Sequence, residues 1–345
     1  MKKKLFSVSI LALTFALWGC SDDKKEVEQT LELSSATLSV EVDDKRNLEA
    51  TTNGGTVTWR SENPQIATVN EFGGVEGITE GNTKIIASVG TGDKIKTAEV
   101  AVTVVPGTLP TPKGAWLFDD ATDLFQARIG QPLQPGKGGK IRDAADKIDS
   151  EYPTTDLSGF RSVPGPRAGN LAVGLDKGYF FAANHGMAAS LGGALVNEYS
   201  ISWVVKFSEV NGWNSLLQTD PANSNDADCF VVDAGMGQSW SGRTDDKPLV
   251  VDQWHTLVFS MKCGADGHGT KEIYYVDGVP LPCGYSKGNN TLQDIDGNRS
   301  LDLAVVLFMA DEDGDQYDLE VSDIRIWDVA LTDDDVQKLH VKLNK

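Results

Sequence analysis

Between Leu31 and Val105, apolar and polar residues alternate with a period of two. In Thr37-Leu-Ser-Val-Glu-Val42, the side chains of Leu38, Val40 and Val42 share one side; Val57 and Trp59 repeat the pattern, as do Val100, Val102 and Val104. Successive side chains of an extended chain point to opposite faces, so this alternation marks half-buried strands and excludes amphipathic helices. Asp43-Asp44, Asn53-Gly54-Gly55, Asn63-Pro64, Gly73-Gly74, Gly81-Asn82 and Gly90-Thr91-Gly92 separate the runs with turn-forming residues. Short strands at this spacing predict a β-sandwich. Trp59, in phase with Val57, is expected in its core.

Two stretches make the prediction specific. Val57-Thr-Trp-Arg-Ser-Glu-Asn-Pro-Gln-Ile-Ala-Thr-Val-Asn70 and Gly74-Val-Glu-Gly-Ile-Thr-Glu-Gly-Asn-Thr-Lys-Ile-Ile-Ala87 resemble the bacterial immunoglobulin-like group 2 domain. The resemblance implies a spacer or adhesion module on a cell surface, assigned to residues 31–105. The segment holds no constellation suited to catalysis. Pro106, Pro110 and Pro112 then make residues 106–113 an extended, semi-rigid linker.

The N-terminus reads as a targeting segment. Lys2, Lys3 and Lys4 precede an apolar run from Leu5 to Trp18, too short for a comfortable membrane span and suited to a signal peptide over 1–19. Leu17-Trp18-Gly19-Cys20 resembles a bacterial lipobox, with Trp18 where a small residue is usual. The resemblance implies lipidation at Cys20. Ser21-Asp22-Asp23 resembles the surface-export signal of Bacteroidetes lipoproteins, which implies an outer-membrane protein facing the exterior. Residues 20–30 form a polar tether.

Residues 114–345 are too long for one immunoglobulin-like sandwich. Strands are expected at Ile201–Phe207, Ser215–Gln218, Cys229–Val232, Trp254–Met261, Ile273–Val276 and from Leu303, with a second strand over Leu319–Trp327. Val276-Asp-Gly-Val279 is a hairpin signal. Thr332 opens the single expected helix, a capping-box start before Val336 and Leu339. Trp116, Trp203, Trp254 and Trp327 lie in strand patterns and are expected in the core. Ile201-Ser-Trp-Val-Val-Lys-Phe207, Gln253-Trp-His-Thr-Leu-Val-Phe259, Ile273-Tyr-Tyr-Val-Asp-Gly-Val-Pro280 and Val321-Ser-Asp-Ile-Arg-Ile-Trp-Asp-Val-Ala-Leu-Thr332 resemble, in order, the laminin-G-like domain of the concanavalin A-like lectin superfamily. Gly114-Ala-Trp-Leu-Phe-Asp-Asp120 resembles that family's first strand. The resemblance implies a jelly-roll of two antiparallel sheets. The expected fold is therefore all-β: a small immunoglobulin-like sandwich followed by a concanavalin A-like jelly-roll sandwich. Residues 124–195 are dense in Gly and Pro, and strands cannot be placed there from pattern.

Two acidic loops interrupt the strand pattern, one over 219–228 and one over 311–315. Asp, Asn and backbone carbonyls are hard oxygen ligands of the kind Ca²⁺ takes, roughly 6 to 8 at a time. Asp220, Asn225, Asp226, Asp228, Asp311, Asp313 and Asp315 are the candidate Ca²⁺ ligands, with Asp119 or Asp120 assisting. If both loops serve one ion, they must meet at one rim of the sandwich. The competing reading is that these residues build Asx turns and solvate the surface. Neither loop has EF-hand spacing. Trp213, Trp240 and Tyr285 sit among Gly, Ser and Asn and are candidate platforms for sugar rings, against ordinary packing at strand ends.

Charge and cysteines narrow the rest. A net charge of -19 argues against nucleic-acid binding, which needs clustered Lys and Arg. Beyond Cys20 there are Cys229, Cys263 and Cys283, enough for one bridge in any of three pairings. Concanavalin A-like glucanases use paired carboxylates in a Glu-x-Asp-x-x-Glu pattern. Asp318-Leu-Glu320 has the wrong order and lacks the second Glu, so catalysis is not expected. The expected protein is a surface lipoprotein, touching the membrane only through its anchor, that binds a glycan or glycoprotein. The other readings are an adhesion lipoprotein making protein contacts only, and a glycoside hydrolase. Sandwich folds host all three roles, so the fold by itself does not choose.

Overall fold

The computed structural model describes residues 29–139, 148–167, 169–190, 193–224, 226–238, 242–264, 270–281, 293–295 and 300–344. Cys20 and its signal segment, Asn225, Trp240, Cys283 and Tyr285 lie outside the described residues. The described part is almost entirely strand, as the period-two patterns predict, with one α-helix.

The small domain places Thr37–Glu41, Lys96–Val105, Gly81–Val89 and Thr58–Ser61 in a four-stranded sheet. Facing it are Lys45–Asn47, Gly74–Gly77 and Ala67–Val69, with Leu31–Leu33 paired to Ala50–Thr52. Thr37–Glu41 runs parallel to Lys96–Val105. Val100, Val102 and Val104 alternate with exposed neighbours and close the core with Val40, Ile85, Val75 and Leu48. Trp59 packs against that core half-buried, so the alternation gave its face and overstated its depth.

The larger domain is a β-sandwich. One sheet has the order Phe160–Pro164, Leu171–Leu175, Leu319–Trp327, Glu198–Phe207, Trp254–Lys262, Thr270–Val276, Val279–Pro280. Gly114–Trp116 also pairs with Leu319–Trp327, and Gln293–Ile295 with Thr270–Val276. The other sheet has the order Ile148–Glu151, Gln134–Gly139, Tyr179–Ala183, Val306–Phe308, Trp213–Gln218, Cys229–Val232, Gly235–Gln238, Gly242–Arg243. Trp116 and Trp203 from the first sheet meet Phe308 of the second edge-on, at 5.8 and 6.3 Å between ring centres. All three rings are fully buried, each contributing about 1.5–3 kcal/mol of hydrophobic stabilisation.

Thr332 caps the helix Asp333–Leu343 in a capping box with Asp335. Val336, Leu339 and Leu343 lay it on the outer face of the first sheet, against Val204, Val258, Tyr275 and Trp327. Trp254 belongs to this outer layer. It is half-buried, with the Lys206 ammonium 5.4 Å from its ring centre, and is not a core residue as its strand pattern suggested.

Two other expectations need correction. The apolar run from Leu303 is strand only over Val306–Phe308, and Leu303 is 43% exposed. The described residues of 124–195 include five strands that pattern could not place. The reason is visible at Gln134–Gly139, an extended segment made of residues that usually break strands. A Cβ on Gly136 would lie 2.2 Å from the buried Phe180 ring, so the close approach of that ring excludes any side chain there. Of the cysteines, Cys229 and Cys263 are buried.

Candidate metal-binding rim

The acidic loop 311–315 follows Val306–Phe308. Met309 turns the chain out of the strand with φ of 58°, and Gly314 takes φ of 83°, a conformation that favours glycine. In an extended chain, residues two apart share a side but stand roughly 6–7 Å apart. Here the loop curls around one carboxylate. Asp311 Oδ2 accepts the backbone N–H groups of Asp313, at 3.3 Å, and Asp315, at 2.9 Å. The result is a cluster in which Asp311, Asp313 and Asp315 each place a carboxylate oxygen within 4.8 Å of the others.

Asp311 is fully buried. Burial first, and the neighbouring Asp313 carboxylate second, push its pKa from 3.8 up to about 7. Hydrogen bonds from the Asp315 and Ala227 N–H groups oppose that rise without cancelling it. Asp313 is half-buried, and its Oδ1 is shielded from solvent without a hydrogen-bond partner. A bound cation would relieve the charge and fill the unpaired oxygen; a proton shared between Asp311 and Asp313 would relieve the charge as well.

The two acidic loops do meet. Ala227 N–H donates to Asp311 Oδ1 at 3.2 Å. Asn223 Nδ2 donates to the Asp311 carbonyl at 3.2 Å and to Ser150 Oγ at 2.8 Å. Asn223 is only 5% exposed, takes φ of 49°, and its Oδ1 is buried with no partner. Its signal in the sequence is masked by four nearby Asx residues, Asp220, Asn225, Asp226 and Asp228. What could have found it is its place after Pro221-Ala222, where a left-handed residue is needed and Asn tolerates that conformation.

The other candidates are placed differently. Asp220 spends both oxygens inside its own loop, accepting Ala222 N–H at 2.9 Å on Oδ1 and Ser224 N–H at 2.9 Å on Oδ2. Asp228 is buried and closes the loop base, its Oδ2 accepting Thr219 N–H at 2.8 Å. For these two the turn-building reading holds, and neither joins the cluster. Asp226 is half-buried next to Ala227. Asp120 caps its own turn, with Thr122 N–H at 2.8 Å, while Asp119 lines a cleft with residues of the small domain. Trp213 is not a loop residue. It begins the strand Trp213–Gln218, meets Phe230 edge-on at 5.2 Å, and has the Arg243 guanidinium 4.4 Å from its ring centre. Arg243 thus covers one face of its ring, which favours the packing reading over an open sugar platform.

Comparison with known proteins fixes one domain. Residues 28–100 match the family of bacterial Ig-like domains, group 2. That segment is a bacterial Ig-like domain. No curated protein matches the chain. Similar solved structures include domain 4 of AbnA, an extracellular GH43 arabinanase from Geobacillus stearothermophilus, in complex with arabinotriose. It shows 19% identity and a TM-score of 0.42, over 67% of this chain and 99% of that one. The Trypanosoma rangeli sialidase in complex with sialic acid shows 11% identity and a TM-score of 0.39, over 76% of this chain and 43% of that one. The binding domain of Paraclostridial Mosquitocidal Protein 1 shows 13% identity and a TM-score of 0.35, over 60% of this chain and 51% of that one.

Proposed function

We propose that this is a lipid-anchored surface protein of the outer membrane that binds carbohydrate, free or on a glycoprotein, without catalysis. In this reading the larger, laminin-G-like sandwich carries the binding surface at its acidic rim. The Ig-like domain spaces that surface from the membrane, and Cys20 holds the anchor. Ca²⁺ at the rim is part of the binding surface. Asp311, Asp313, Asp315 and Asn223 Oδ1 supply hard oxygens, and sugar hydroxyls complete the shell.

The observation that carries the reading is the junction of the two loops. It brings Asn223 to the three carboxylates clustered within 4.8 Å, and Oδ1 of Asn223 and Oδ1 of Asp313, itself one of the three, are buried without a protein partner. The non-catalytic part rests on the neighbouring strand. Glu320 is paired with Lys206 at 2.6 Å, Asp323 with Arg325 at 3.0 Å, and Asp318 Oδ1 accepts Lys177 N–H at 2.9 Å. A glycosidase needs one such group free as an acid and another as a base or nucleophile.

The test is a glycan array probed with the full chain, once in Ca²⁺ and once in chelator. The reading expects glycans bound in Ca²⁺ and lost in chelator, with no reducing sugar released. Protein contacts without glycan binding would replace it with the adhesion reading, and sugar release would replace it with the hydrolase reading.

A further inference from the structure

The two domains enclose a second feature, lined by no residue of either acidic loop. A cleft of about 570 Å³ opens between them. That volume lies inside the range of about 300–1,000 Å³ typical of small-ligand sites. Its walls carry Lys45, Arg46, Arg128 and Arg167 against Glu76 and Asp119, an excess of two cations. The chain as a whole carries -19, so this is a local reversal of sign.

The cations are unevenly used. Glu76 is shared between Arg128 at 3.3 Å and Lys45 at 3.8 Å, and Arg46 faces Asp44 at 3.2 Å. Arg167 Nε and Arg128 Nη2 are both buried without a hydrogen-bond partner. A guanidinium N–H held out of water without an acceptor is costly, and an oxyanion that reaches it offsets that cost.

An aromatic ring completes the lip. Asn70 Oδ1 accepts the N–H groups of Phe72 and Gly74 at 3.0 and 2.8 Å, a tight turn that projects Phe72 outward. Phe72 is 67% exposed. Gly169 of the larger domain approaches its ring so closely that a Cβ there would lie 3.1 Å away. One side of the ring thus rests on the other domain while most of the ring stays open to solvent. An open aromatic beside cationic forks suits a ligand with an apolar C–H face and an oxyanion.

We propose that the cleft between the Ig-like domain and the sandwich binds an oligosaccharide bearing an oxyanion, a carboxylate or a sulfate, stacked on Phe72 and paired with Arg167 and Arg128. This site goes beyond the rim, and it rests on the glycan-binding reading only for the sugar scaffold of its ligand. Because Phe72 and Lys45 come from one domain and Arg128 and Arg167 from the other, the bound ligand clasps the two domains together.

The full chain, in chelator and low salt, is titrated calorimetrically with trigalacturonate, with a sulfated galactotriose and with neutral galactotriose. The proposal expects at least one acidic probe to bind and the neutral probe to fail at the same concentrations. Phe72→Ala, at an exposed position, and Arg167→Gln each weaken that binding by about tenfold. Whichever acidic probe binds identifies the oxyanion. The proposal is overturned if neither acidic probe binds, if the neutral probe binds equally, or if both cleft variants bind like the parent chain. Chelator removes the rim's contribution, so these outcomes are independent of the Ca²⁺-dependent array result.

Discussion

Replacing Asp313 by Asn separates a cation site from a structural turn, because the two readings give opposite signs. Three carboxylates within 4.8 Å repel one another. At 4.8 Å and an effective dielectric near 20, one such pair costs about 3.5 kcal/mol. Asp313 is only half-buried, so solvent screening reduces this to about 1–2 kcal/mol. Asp313 Oδ1 accepts no hydrogen bond, so the substitution breaks none at that atom. The new amide can donate to the Asp311 carboxylate. In chelator at pH 8, Asp313→Asn should therefore stabilise the larger domain by about 1–2 kcal/mol, a rise of roughly 3–6 °C in its transition. The pH dependence follows from Asp311. Its folded pKa of about 7 lies above the ordinary 3.8, so the cost of ionising it is absent at low pH. That cost appears as pH rises through the interval and is complete above about 7. The advantage of Asp313→Asn should accordingly shrink toward pH 5. Thermal melts of both proteins in chelator at pH 8 and pH 5 check this. A lower melting temperature for the variant at pH 8, or an equal shift at both pH values, would refute the electrostatic argument.

Two further outcomes follow from single residues. His185 is buried, its Nδ1 accepting Met187 N–H at 3.1 Å and its Nε2 meeting the Asp302 carbonyl at 2.6 Å, which fits a neutral ring protonated on Nε2. Burial lowers its pKa below 6.5, so its contribution is intact above that value and is lost as pH falls through the lowered pKa. Denaturant midpoints at pH 7.5 and 5.5 should fall further for the parent chain than for His185→Gln. Gly136→Ala places a Cβ 2.2 Å from Phe180 and should cost about 1–3 kcal/mol by chemical denaturation; an unchanged midpoint would contradict the packing described.

Much of the fold was legible because its strands are half-buried or flanked by clear turns. Val100, Val102 and Val104 show their face by alternation, and Leu319–Trp327 and Cys229–Val232 carry long apolar signals that match the observed strands. Gln134–Gly139 was illegible because its pairing depends on a ring contributed by Phe180, a residue more than forty positions away in the chain. Trp254 misled for a related reason. A helix covers the outer face of its sheet, so an apolar residue there need not point to the core. At the rim, sequence picked out two loops that the structure brings together, and not Asn223, which links them. Asp220 and Asp311 sit in equally acidic surroundings along the chain. One folds its oxygens onto its own turn, while the other is buried under a second loop. Only the long-range contacts through Asn223 and Ala227 distinguish them.

Thermal melting of the full chain in millimolar Ca²⁺ and in chelator, with the Asp311→Asn variant beside it, tests the rim most directly. A site of these oxygens should raise the larger domain's transition in Ca²⁺ by RT ln(1 + [L]/Kd), about 2.7 kcal/mol at a hundredfold excess over Kd. The variant should lose that response. Identical melts of the parent chain in Ca²⁺ and chelator would contradict the assignment of the rim as a cation site.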